Sequence, residues 1–233
     1  MVKYLIVNAD DFGASRGINR GIIEAHQRGV LTSTSLLVNA AASGEAAELS
    51  RSAPGLSVGL HADVREELKG TMDGRRLCEA LDAQMARFDE LMSRPPTHLD
   101  SHHNVHRDSR VLPYFLDLAR EHGLPLREHS PVRYFSKFYG QWGGKTHLEQ
   151  LSVESLARML EMEIKEGFTE LSCHPGYVDP DYSSGYSRER EAELRALCDP
   201  RIRQVLAEQS IQLVSYHDLG KLKVGSATRD VAT

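Results

Sequence analysis

LIVNADDFG, residues 5–13, decides how the rest of the chain is read. A short, mostly apolar run leads into two adjacent carboxylates, Asp10 and Asp11, and a glycine follows at position 13. A run this short, flanked this way, predicts a buried strand rather than a helix. The carboxylates then lie at its carboxyl end, where α/β folds build their sites. Side chains alternate along a strand, so Asp10 and Asp11 are expected to point in different directions and do different jobs. The competing reading is an Asx turn that only caps the following helix.

Working outward, residues 16–28 carry Ile18, Ile22 and Ala25 at helical spacing, with Ser15 as N-cap and Gly29 as stop. Residues 32–38 read as a second strand, 41–52 as a helix, and 56–61 as a third strand ending on His61. A helix over 77–92 stops before Pro95-Pro96, and a short fourth strand covers 97–101. A helix over 111–122 is closed by Gly123, and a further strand starts at 125–127. Residues 128–150 are irregular, with clustered aromatics, three glycines and the sole tryptophan, Trp142, and read as a functional loop. Helix returns over 153–166, strand over 169–173 up to His174, helix over 188–208 with a break at Asp199-Pro200, and a last strand over 211–214. The Arg and Glu run at 188–195 reads as a solvated helix face.

Strands alternating with helices predict parallel pairing with right-handed crossovers. A complete TIM barrel typically needs about 250 residues. At 233 residues, the chain fits an α/β fold built as an incomplete, TIM-like (β/α) barrel of about seven parallel strands, with an open doubly wound sheet as the alternative. No composition shift marks a boundary, so residues 1–219 are expected to form a single catalytic domain and 220–233 a polar C-terminal tail.

Composition narrows the function. The chain is 40% hydrophobic and 26% charged, ordinary for a globular protein. A formal charge of −5 argues against a nucleic-acid or anionic-membrane partner. Cys78, Cys173 and Cys198 form no CxxC pair, which points to a reducing compartment. The N-terminus runs almost directly into the first strand and leaves no room for a signal peptide, so a cytoplasmic location is expected. No apolar run reaches the roughly 20 residues needed to span a bilayer.

Polar residues fall where four strands end: Asp10-Asp11, His61, the cluster from Asp100 to His106, and His174. The cluster THLDSHHNVH carries His98, His102, His103 and His106. On a parallel barrel these ends open on one face. A lone histidine is usually structural, but four beside an aspartate at a strand end favour a site for Zn, Mn, Fe or Co, and less readily Mg. Three protein ligands would leave positions open for water and substrate, the arrangement of a hydrolytic metal. Spacing alone does not choose among the cluster histidines. Adjacent His102 and His103 cannot both point inward from an extended backbone.

NADDFG, TSTSLLVN, GLH, THLDSHHNVH and CHPGY, taken in this order, resemble the YdjC-like family of carbohydrate deacetylases, from residue 4 to about residue 217. That family includes chitooligosaccharide deacetylases and proteins associated with hopanoid synthesis. The resemblance implies an incomplete (β/α) barrel and a divalent-metal hydrolase that removes acetyl from an N-acetylated amino sugar or short oligosaccharide. It implies one ion, Mg or Zn with Mn, Fe or Co as alternatives, held by Asp11, His61 and His102. It further implies Asp10 as general base, His174 as general acid, and Asp100 and His106 as supports behind the ligands.

Two departures stand out. Asn104 replaces a histidine of the family's DSHHHVH, and the stretch between His61 and His98 is shorter than in the chitooligosaccharide enzymes. Trp142 in YGQWGG has two readings, a sugar-stacking aromatic or packing for its loop. Three rival functions are a phosphoesterase, which would commonly use two metals, a family member that binds metal without turnover, and a receiver-type signalling module. The last would leave the histidine cluster unused. Pairing of barrels into a homodimer is compatible with the sequence, which offers no apolar stripe that argues for it.

Overall fold

The computed structural model describes residues 2–180 and 182–222. Its first strand, β1 (Lys3–Phe12), is buried from Leu5 onward. Helix α1 (Arg16–Arg28) follows, with the Ser15 hydroxyl accepting from the Ile18 amide at 3.2 Å, so the cap is Ser15 and not the aspartate pair. Then come β2 (Ser33–Leu36), α2 (Ser43–Arg51), β3 (Ser57–Ala62) and α3 (Gly74–Met92). Ser93 ends α3 in the left-handed region at φ 53°. After β4 (Leu99–Ser101), α4 (Leu112–His122) is closed by Gly123 at φ 64°. The chain continues through β5 (Arg133–Phe135), β6 (Gln141–Trp142), β7 (Lys145–Thr146), α5 (Val153–Glu163) and β8 (Gly167–Cys173). It ends in α6 (Arg188–Cys198), α7 (Pro200–Glu208) and β9 (Ile211–Leu213), with Asp199 capping α7 through the Arg201 amide at 2.9 Å.

Seven strands form one sheet in the order β4-β3-β2-β1-β8-β5, with β9 also on β1, and every pairing in it is parallel. The architecture is an incomplete (β/α) barrel. One edge of β1 pairs with β8 from Lys3 to Ala9. Its other edge pairs with β9 at Lys3–Leu5 and with β2 between Asn8 and Phe12. The strand expected at 125–127 shrinks to one parallel bridge, Leu126 to Leu99, flanked by two backbone hydrogen bonds to Leu99. The pairing strand is β5 instead, so this segment crosses from the β4 edge to the β8 edge. Of the expected polar tail, residues 223–233 lie outside the described residues.

The two faces of the sheet divide the labour. Leu5, Val7 and Ala9 join the large core with Ile18, Ile22, Phe88, Phe115 and Leu197. Ile6 instead meets Val132, Phe168 and Tyr216 in a small cluster on the opposite face. Period-two alternation puts the polar side chains on that same inner face: Asn8 and Asp10 after Ile6, and Glu170 and Ser172 after Phe168. Among the described residues no helix is long and apolar enough to cross a membrane.

Candidate active site

Asp10, Asp11, His61, His102 and His174 line one cavity of about 680 Å³ at the carboxyl ends of the strands. The columns that alternate inward deliver four of them: Asp10 on β1, His61 on β3, His102 beyond Asp100 on β4, and His174 after β8. Asp11 arrives differently. Strict alternation would turn it away from Asp10. The β1–β2 register shifts between Ala9 and Phe12, and Asp11 takes φ 68°, so both carboxylates face the cavity. The expectation of opposite directions is corrected on this point, and their partners still differ.

Among the described residues, two groups of three donors lie close enough to share an ion, Asp11–His61–His102 and Asp10–His61–Asp100. In the first, His102 Nδ1 is 3.1 Å from Asp11 Oδ1 and 3.3 Å from His61 Nε2, and His61 Nε2 is 3.5 Å from that Asp11 oxygen. A carboxylate and two imidazoles aimed at one point are a donor set that suits a divalent cation. The second group already has its cation. Arg127 Nη2 lies 2.7 Å from Asp10 Oδ1, from Asp100 Oδ2 and from Glu170 Oε1. Arg127 is 1% exposed, and nothing in the residue pattern around it marked it.

Asp100 Oδ1 stands 2.6 Å from His61 Nδ1, which leaves Nε2 of the same ring facing Asp11. The other cluster histidines hold other places. His98 stacks on Tyr216 at 3.8 Å, His106 Nδ1 meets the Ser101 hydroxyl at 2.6 Å, and His103, at φ 56°, is exposed where it lines the cavity, its ring 4.0 Å from that of His102. Asn104 accepts from Arg127 Nη1 at 3.4 Å.

The Arg and Glu run of α6 is not a solvated face. Glu189, Arg190 and Glu193 are 2%, 5% and 0% exposed, because α6 packs against α1 and α5 with Arg190 lining the cavity. Arg190 Nη2 donates to Asp11 Oδ2 at 2.5 Å. Glu193 accepts from the His174 amide and, at 2.5 Å, from the Tyr186 hydroxyl. A charge run on a helix looks solvated when tertiary partners are unknown. The signal within it was the 189/193 pair at i, i+4 beside small and apolar residues.

Electrostatics follow from these contacts. Burial acts upward on Asp11, but hydrogen bonds from His102 and His61 and the Arg190 charge outweigh it and hold the carboxyl well below the usual range. Burial likewise acts upward on Asp10, and the Arg127 charge turns the balance downward. Burial disfavours a charged His61, yet the Asp100 carboxylate beside it raises the ring to about 10. For His174 burial prevails and pushes the ring down to about 4. Burial also pushes Glu193 up to about 8.

Residues 4–208 match the YdjC-like protein family. The chain belongs to that family. It is 36% identical over 259 aligned positions to the carbohydrate deacetylase of Geobacillus stearothermophilus, covering 95% of this chain and 100% of the relative. It is 35% identical over 260 positions to the chitooligosaccharide deacetylase of Yersinia pestis (strain Pestoides F), covering 94% and 100%. A solved structure from Enterococcus faecalis V583, whose name proposes cellobiose-phosphate cleavage, superposes with a TM-score of 0.81 at 30% identity. That alignment covers 94% of this chain and 99% of the other. The YdjC-like alignments are longer than the 233 residues of this chain, so it lacks segments that those relatives carry.

Proposed function

We propose that this YdjC-like protein is a metal-dependent carbohydrate N-deacetylase, hydrolysing the acetamide of an N-acetylated amino sugar. The observation that carries the reading is the Asp11–His61–His102 donor set, with Asp10 and His174 bordering the same cavity. Membership of a family with named carbohydrate deacetylases supports it. Two imidazoles and a carboxylate favour Zn, Mn, Fe or Co over Mg. A divalent cation held there would polarise the acetamide carbonyl and make a water easier to deprotonate.

The chain's own residues supply the rest. Asp10 is ionised at neutral pH and fixed by two Arg127 contacts, at 2.9 and 2.7 Å, so it is oriented to take the proton of the attacking water. His174 Nε2 is 3.9 Å from Asp10 Oδ2, on the near side of the same cavity. Burial keeps its ring neutral, so it can hydrogen-bond the departing amine, and the proton the amine takes up is the one Asp10 removes from the water. Tyr139 and Tyr186 set their rings 5.8 and 5.6 Å from the imidazole and screen it from solvent. A two-metal phosphoesterase is the weaker reading, because Arg127 occupies the second donor group. A cytoplasmic location belongs to the same reading, supported by three free cysteines.

Acetate release from a panel of N-acetylated saccharides tests the proposal. Chelator-sensitive release, abolished by Asp10→Asn at one bound metal per chain, is the expected result. Metal-loaded protein that frees no acetate from any member of the panel would overturn it.

A further inference from the structure

Beyond the cavity just described, a hairpin formed by β6 and β7 holds out an aromatic surface that the reaction does not use. Trp142 is 50% exposed, although tryptophan is a residue that folding normally buries. One indole face is covered by His147, with ring centroids 3.7 Å apart and planes 4° from parallel. The indole also borders a hollow of about 330 Å³, lined by Tyr139, Gln141, Gly144, Lys145 and Thr146 as well. Tyr139 and Gln141 also line the larger cavity, so the hollow and the candidate active site adjoin.

The hairpin is tied down at several points. Gln141 Nε2 donates to Glu189 Oε1 at 2.8 Å and to the Gly185 carbonyl at 2.6 Å, and the Thr146 hydroxyl donates to the same Glu189 oxygen at 2.5 Å. Gly140 N donates to the Tyr186 hydroxyl at 2.9 Å. Tyr139 stacks on Tyr186 at 4.8 Å, and both rings lie edge-on to His174. An exposed indole, backed on one face and anchored through a buried glutamate, is a rigid platform whose ordering cost is met on folding rather than on binding.

We propose that this hollow is a second saccharide-binding subsite, in which Trp142 stacks on the pyranose ring next to the one that loses its acetyl group. The proposal rests on the carbohydrate-deacetylase reading and deepens it. The apolar C–H face of a pyranose matches an aromatic plane, and Lys145 at the rim supplies a donor for ring hydroxyls. The residue to be deacetylated occupies the large cavity, and its neighbour lies past Tyr139 on Trp142.

Because Trp142 is the sole tryptophan, its emission reports the subsite directly. The probes are N-acetylglucosamine and its β-1,4-linked dimer, trimer and tetramer, with metal-loaded native protein for rates and the Asp10→Asn variant for binding. The expected result is a saturable change in emission with the oligomers and none with the monomer. Trp142→Ala should then raise KM for the trimer about tenfold, and Trp142→Phe should recover most of the loss.

Acetate release from oligomers with emission unmoved and KM unaffected by Trp142→Ala overturns the subsite and leaves the deacetylase standing. An oligomer-dependent emission change without acetate release keeps the subsite and overturns the deacetylase. Silence in both overturns both.

Discussion

Arg127 balances three buried carboxylates, Asp10, Asp100 and Glu170, and each of its neighbours depends on that balance. Arg127→Met would leave buried negative charge without a partner, and the expected loss of stability is about 3–5 kcal/mol. Chemical denaturation measures it, and a midpoint equal to that of the native protein would refute the account. Lysine is expected to rescue only partly, since one ammonium cannot reproduce the planar fork that meets Asp10 and Glu170 together. Asp10→Asn keeps the shape and removes the charge. Turnover should fall by about a hundred- to ten-thousand-fold, while metal content, read by elemental analysis, stays at the native value.

At the scale of the element, two tight places carry predictions. A Cβ on Gly59 of β3 would sit 2.5 Å from the His98 ring, which is itself held against Tyr216. Gly59→Ala should therefore cost about 1–3 kcal/mol by overpacking, read as a lower thermal midpoint. The β6–β7 turn needs Gly143 and Gly144 at φ 58° and 72°, the sign pattern of a two-residue type I′ hairpin. Alanine at either position is expected to cost about 1–2 kcal/mol locally. Faster proteolysis between residues 140 and 147, with the thermal midpoint little changed, is the measurable outcome.

For the whole molecule, buried histidines set the response to pH. His98, His106 and His174 are pushed by burial to about 3, 4 and 4, below the ordinary value of 6.5. The unfolded chain then binds more protons than the folded one below pH 6.5, so stability falls as pH drops from there toward 4. His61 has the opposite sign. Asp100 and Asp11 raise it to about 10 despite burial, so its contribution is complete below 6.5 and disappears as pH rises through 10. Metal-free protein should accordingly lose thermal stability at both ends. A bound cation would replace the proton on His61, so metal affinity should rise with pH. Thermal midpoints across pH, with and without chelator, check both signs, and a metal-free midpoint that climbs above pH 8.5 would contradict the His61 assignment.

The fold was largely legible because its determinants are local. Residues 5–13 announce a buried strand, Ser15 and Gly29 bracket α1, Asp199-Pro200 separates α6 from α7, and repeated strand–helix alternation leaves few topologies for a parallel sheet. Alternation along β4 also puts His98, Asp100 and His102 on one face. Gly143-Gly144 carried a hairpin signal as plain as any of these, although residues 128–150 read as one irregular loop. What only the tertiary structure decided involves partners far apart in sequence. Arg127 reaches Asp10 across 117 positions, and Arg190 reaches Asp11 across 179. Periodicity ranks residues by what they carry, and a charged residue scores as solvated until its counter-charge is located. Burial of Arg127, Arg190 and Glu193 is tolerable only because the closing barrel brings that counter-charge or hydrogen-bond partner to each of them, and no local pattern records such a meeting.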